Sequence, residues 1–225
     1  MTLKAVDNIE QAKLLIRETG FLPLFDGRIK GFSLNSATRH LPWFTGDEND
    51  PWEWREQIAA EGEIAYGKFF NKNAAFVSKE LFGTLMNYRR DGYDFDARWD
   101  EGLAKHKEKL IMDLFFETDN VFPSYIIKEK AGFVKGGEKG FEGIMTGLQM
   151  QCYLVFRKTS YKLNKSGEPY GWAVGNFCTP ETLYGQDYIN NAYKEEPADS
   201  YKRLFERAKQ LLPEINEEEI RKFLK

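Results

Sequence analysis

The densest concentration of side chains able to do chemistry lies between Arg89 and Gly102, where five acidic and three basic residues alternate with aromatic ones. Two carboxylates held close together raise one another's pKa, so Asp94 and Asp96 are candidates for acid–base work. A calcium loop would need oxygen ligands at alternate positions, and counting from Asp94 the third ligand position is Arg98, so no metal is expected. Arg89, Arg90 and Arg98 could instead join the aspartates in a structural network that satisfies buried backbone groups, or the stretch could be a ligand-facing loop. Trp52 and Trp54 are either core residues or a stacking platform beside a base. With Tyr66, these residues make up one candidate pocket: Trp52, Trp54, Tyr66, Arg89, Arg90, Asp94, Asp96 and Arg98.

A second set of residues suits a polyanion. Residues 135 to 175 carry six basic and three acidic side chains in a chain of net charge -3, so this segment is +3 and the remainder -6. Lys139, Thr146 and Gln149 recur at the spacing of one outward helical face, and Arg157, Lys158, Lys162 and Lys165 follow in a strand-and-turn segment. These seven are the candidate DNA-binding residues. The pI of about 5.6 excludes a global positive field, so any nucleic-acid footprint must be local. Seven acidic residues against one arginine between Asp47 and Glu63 turn that region away from phosphate.

The elements that must position these residues follow from periodicity and capping. A helix is expected at Ile9–Thr19, then an apolar segment Phe21–Phe25 that Pro23 keeps from being a central strand. A turn cluster spans Thr45–Pro51, a strand runs from Glu63 to Phe70, and Ala74–Val77 is its partner. Helices are expected at Lys79 to about Tyr88 and roughly Leu103 to Phe116. Ser124 caps a short helix, Tyr125–Ala131. Gly136-Gly137 turns the chain, and a helix runs from Lys139 to about Gln149. Strands Tyr153–Thr159 and Tyr170–Phe177 then flank turn chemistry at Asn164–Pro169. Helix, turn, helix and two-stranded wing is the grammar of a winged helix-turn-helix. The C-terminus supplies a helix start at Thr179-Pro180, a helix from about Asp199 to Leu212 and a last one from Glu217 to Leu224.

The expected fold class is α+β, with winged helix-turn-helix modules, an N-terminal mixed α/β region and C-terminal helices. Residues 1–102 form the N-terminal region, itself an ordinary α+β unit or a degenerate winged helix, residues 103–192 the winged domain, and residues 193–225 a helical brace. No internal repeat is visible. Cys152 and Cys178 are expected as buried thiols, and His40 and His106 as ordinary histidines without a visible partner. Without an apolar run of signal-peptide or membrane-spanning length, a cytoplasmic protein is expected, with DNA as partner, no membrane, no cofactor and nothing to indicate a homo-oligomer.

The segments Gly20–Phe25, Trp52–Arg55, Ala65–Phe70, Ala75–Ser78, Asn87–Arg98, Leu148–Gln151 and Tyr170–Trp172 resemble the bacterial proteins called AlkZ-related. These are distant relatives of the AlkZ/YcaQ winged-helix DNA glycosylases. The resemblance covers about residues 7 to 185 and implies tandem winged helices around a channel for duplex DNA. It also implies a Gln-x-Gln or Gln-x-Asp tripeptide, shortly after an early helix, that positions the attacking water. Here that place reads Leu22-Pro23-Leu24, and apolar side chains cannot activate water. Gln149-Met150-Gln151 lies at the end of the expected recognition helix and matches the tripeptide in letters only. The expected function is therefore DNA binding without that catalytic motif. The alternatives are a glycosylase with a relocated site that uses Asp94 or Asp96 beside Trp52, Trp54 and Tyr66, and a noncatalytic protein-interaction module.

Overall fold

The computed structural model describes residues 3–116 and 120–225. Asn8 accepts from the Gln11 N–H to start α1 (Ile9–Thr19), and Gly20, at φ 84, ends it. β1 (Phe21–Pro23) follows as an edge strand, the position a proline tolerates. After the single turn α2 (Leu34–Ala37) comes α3 (Pro51–Glu61), a helix absent from the expectations. The same Asp50-Pro51 that suits a turn is also an N-cap followed by proline at the first helical position, and here it serves as both.

β2 (Ile64–Phe70) and β3 (Asn73–Ser78) form a hairpin through Asn71 and Lys72, both left-handed at φ 49 and 65 as a tight hairpin turn requires. α4 (Lys79–Arg90) follows, then α5 (Phe95–Asp100), capped by Asp94 and also unexpected. α6 (His106–Phe116), β4 (Phe122–Pro123), α7 (Ser124–Lys130) and α8 (Phe141–Met150) lead to β5 (Val155–Leu163) and β6 (Pro169–Cys178). Ser124 is the first residue of α7 and caps nothing with its side chain. α8 starts at Phe141, two residues later than expected, because Gly140 is left-handed at φ 89. The chain closes with α9 (Pro180–Tyr184), α10 (Gln186–Ala192), α11 (Pro197–Leu211) and α12 (Glu217–Phe223).

The fold is α+β, with one antiparallel sheet in the order β1-β3-β2-β5-β6-β4. The order α1-β1-α2-α3-β2-β3 recurs as α6-β4-α7-α8-β5-β6, and in both the first strand pairs with the third. A repeat that the letters hide is therefore present in the topology. The two units join at the pair Tyr66↔Phe156 between β2 and β5. Their third helices cross over reciprocally, α3 packing on β5 and α8 on β2.

Two apolar clusters fill the molecule. The larger draws on α1, β1 to β3, α4, α11 and α12, with Phe223 stacked on Phe70 at 4.9 Å. The smaller gathers Phe95 with residues of α6, α7 and α8.

Candidate functional site

The ladder between β2 and β5 stops beyond Tyr66 and Phe156, and side chains take over its hydrogen bonds. The Lys68 N–H donates to Gln149 Oε1 at 3.1 Å, and the Thr159 N–H donates to Glu56 Oε1 at 2.7 Å. A cleft of about 350 Å³ opens at this seam, lined by Trp52 and Arg55 from α3, Tyr66 and Lys68 from β2, Thr146 and Gln149 from α8, and Phe156 and Thr159 from β5. Both units thus contribute to one recess of small-ligand size.

Its chemistry is aromatic and mildly basic. The Arg55 guanidinium lies 3.7 Å from the centre of the Trp52 ring, a cation–π contact, and no carboxylate pairs with it among the described residues. Lys68 reaches Thr146 Oγ1 at 3.4 Å. Burial pushes the Tyr66 phenol up to about 12, so it stays protonated at neutral pH and cannot act there as a base.

Several expected roles change in place. Gln149 is buried, with Nε2 donating to Met145 O at 3.1 Å and Oε1 accepting from Lys68, so it does not stand outward to meet a base edge. The reason is tertiary: the helical face that carries Thr146 and Gln149 packs against β2 of the other unit. Arg157 donates to the carbonyls of Ala59 and Ala60 at 2.7 and 3.3 Å, satisfying orphan acceptors at the end of α3 and leaving the wing without its guanidinium. Lys139, Lys158 and Lys165 are exposed, and Lys162 is half-buried with its ammonium 5.1 Å from the Tyr125 ring.

The candidate pocket is likewise divided. Trp52 and Tyr66 line the cleft, but Trp54 is buried in the core with its indole N–H on Glu48 O. Arg90 is fully buried and pairs with Glu181 at 2.6 Å, not with an aspartate of its own stretch. Its second nitrogen donates to Cys152 O, and the Tyr153 ring lies 4.5 Å beneath it. Arg89 donates to Phe69 O, and Arg98 is half-buried. Asp94 and Asp96 line a separate cavity of about 280 Å³ with Tyr153 and Glu181. Burial and the neighbouring Asp94 push the Asp96 carboxyl up. The relocated constellation of Asp94 or Asp96 beside Trp52, Trp54 and Tyr66 is therefore not assembled, because Asp94 caps α5 and carries the pair away from the seam.

Arg55, Lys68, Phe156 and Thr159 enter the site without having been expected there, although the alternation of Tyr66 and Lys68 along a strand was a usable sign. Trp172 on β6 is 91% exposed. It lies where the register between β5 and β6 shifts, beside the left-handed Gly171. Leu22 and Leu24, at the place of the glycosylase tripeptide, are buried in the core. Cys152 and Cys178 are free and buried, and burial pushes both thiols up to about 12. His40 does find a partner, with Nε2 2.8 Å from Asp7 Oδ1.

Fold and cleft together define an α+β protein of two topologically equivalent units with a ligand-sized recess at their seam. The chain belongs to the AlkZ-related family, since the family model described as AlkZ related matches residues 6–225. No curated protein and no solved structure gives a match. Among the described residues no helix is long and apolar enough to cross a membrane.

Proposed function

We propose that this is a DNA-binding protein in which both repeated units are winged helices, and which lacks the Gln-x-Gln chemistry of the related glycosylases. The family relationship to DNA repair supports the reading, as does the doubled order of helix, strand, helix, helix and hairpin with the first strand on the third. The observation that carries it is the β5–β6 hairpin. It carries the exposed Lys158 and Lys165 and the half-buried Lys162 on the same hairpin as the 91% exposed Trp172. Cations next to an open ring suit a phosphate backbone with bases alongside.

The wing, not α8, then makes the contact, because β2 of the other unit covers part of α8. Catalysis through the tripeptide position has no chemical basis, Leu22 and Leu24 being apolar and buried. Fluorescence anisotropy with a labelled duplex at low salt tests the reading, together with a search for free base released from alkylated DNA. Binding without release is expected. Release of base would overturn the noncatalytic part, and absence of binding would favour a protein-interaction role.

A further inference from the structure

Phe25, Trp43, Phe44 and Trp52 form a continuous aromatic group at the edge of the seam cleft, with ring centroids 5.1 Å apart for Phe25–Trp43, 5.0 Å for Phe44–Trp52 and 6.0 Å for Trp43–Phe44. Trp43 and Trp52 pack against the larger core, whereas Phe44 is 64% and Phe25 39% exposed, so the group reaches from core to solvent. Phe44 also sits at φ 64, a left-handed conformation that an aromatic residue rarely adopts, and such strain concentrates at functional sites.

The strain is held by Asp50. This buried carboxylate accepts from the N–H groups of Thr45, Gly46 and Trp52 at 2.7, 3.1 and 2.8 Å, fixing the loop on the start of α3. The fold thus keeps a bulky ring out in solvent at a conformational cost that a glycine would avoid.

We propose that this quartet is a stacking site for one unstacked nucleobase of DNA, a proposal that rests on the DNA-binding reading above. Charge selects the occupant. From Leu41 to Trp54 the surface carries Asp47, Glu48 and Glu53 and no basic residue, Asp50 being buried, so the rings offer apolar faces to a base and no hold on its phosphates, which must be met outside the group. The cations that could hold a flanking phosphate stand next door in the cleft, Lys68 and Arg55, the latter lying on the Trp52 ring with no carboxylate partner among the described residues, and Trp52 belongs to both surfaces. Stacking tolerates any base, so the site is expected to select unstacked over paired DNA without reading sequence.

Phe44→Gly removes the ring and relieves the backbone at once. The intact protein would be titrated with a duplex carrying a single extrahelical 2-aminopurine and with the same duplex lacking the bulge. Wild type is expected to bind the bulged duplex about tenfold more tightly and to quench its fluorescence. Phe44→Gly should lose most of that preference and the quenching, keep its affinity for the unbulged duplex and show no fall in Tm. Trp172→Ala, on the wing, should weaken binding to both probes alike. Equal wild-type affinity for the two probes, or an unchanged preference in Phe44→Gly, overturns the stacking site while leaving the DNA-binding reading intact; failure to bind either probe overturns both. Self-association that Phe44→Gly abolishes would overturn it in favour of a second copy covering the rings.

Discussion

Tyr66 stands opposite Phe156 with ring centroids 5.3 Å apart and planes at 83°, and this pair joins two three-stranded units into one sheet. Both side chains are 8% exposed, and Phe177 lies 6.0 Å beyond Phe156. Phe156→Ala is therefore expected to cost about 3–5 kcal/mol in urea unfolding, as for a buried aromatic truncation that leaves a cavity. A loss below about 1 kcal/mol would mean that the seam contributes little to holding the units together.

Arg90 ties the end of α4 to α9 through Glu181 and to the Cys152 carbonyl after α8. Burial alone lowers its pKa, but Glu181 and Tyr193 more than offset this and raise it, while Arg90 holds Glu181 below the usual carboxylate range despite burial. Arg90→Ala would leave that carboxylate without its counter-ion, at a cost of about 3–5 kcal/mol by chemical denaturation. A variant as stable as wild type would show that the pair only compensates for its own desolvation.

Asp50 links stability to pH. Burial raises its carboxyl pKa, but the backbone N–H groups of Trp52, Gly46, Thr45 and Phe44 outweigh it and hold the folded value below the ordinary one. Its contribution is thus complete above the unfolded pKa of about 3.9 and is lost as pH falls through the folded value. Wild type should lose stability below about pH 4. Asp50→Asn should be weaker at pH 7 and show a flatter decline in acid. Identical acid limbs in parallel urea titrations would remove Asp50 from this role.

Much of the scaffold was legible because caps and punctuation sit in sequence. Asn8 and Gly20 bound α1, Thr179-Pro180 opens α9, Asn216 caps α12, and the Asn71-Lys72 turn joins β2 to β3. α3 was hidden because Asp50-Pro51 is equally good turn and helix chemistry, and α5 because six residues hold too little periodicity to register. The repeated topology lies in the order of elements, and the letters carry little of it beyond the proline that ends both β1 and β4. The site was half legible: Trp52, Tyr66, Thr146 and Gln149 were singled out in two separate groups, and only the crossing of α8 over β2 brings them together. That crossing also turns Gln149 from an outward helix residue into a buried one, and the end of α3 claims Arg157 in the same way.

If the β5–β6 wing holds DNA through its lysines, as proposed, binding must depend on salt through those side chains. The dissociation constant for a duplex would be measured across a salt series for wild type and for Lys158→Ala/Lys162→Ala/Lys165→Ala. The triple variant is expected to bind more weakly and to flatten the slope of log K against log salt by roughly 0.9 for each lysine that faces a phosphate. An unchanged slope and affinity, or no wild-type binding even at low salt, would contradict DNA contact through the wing.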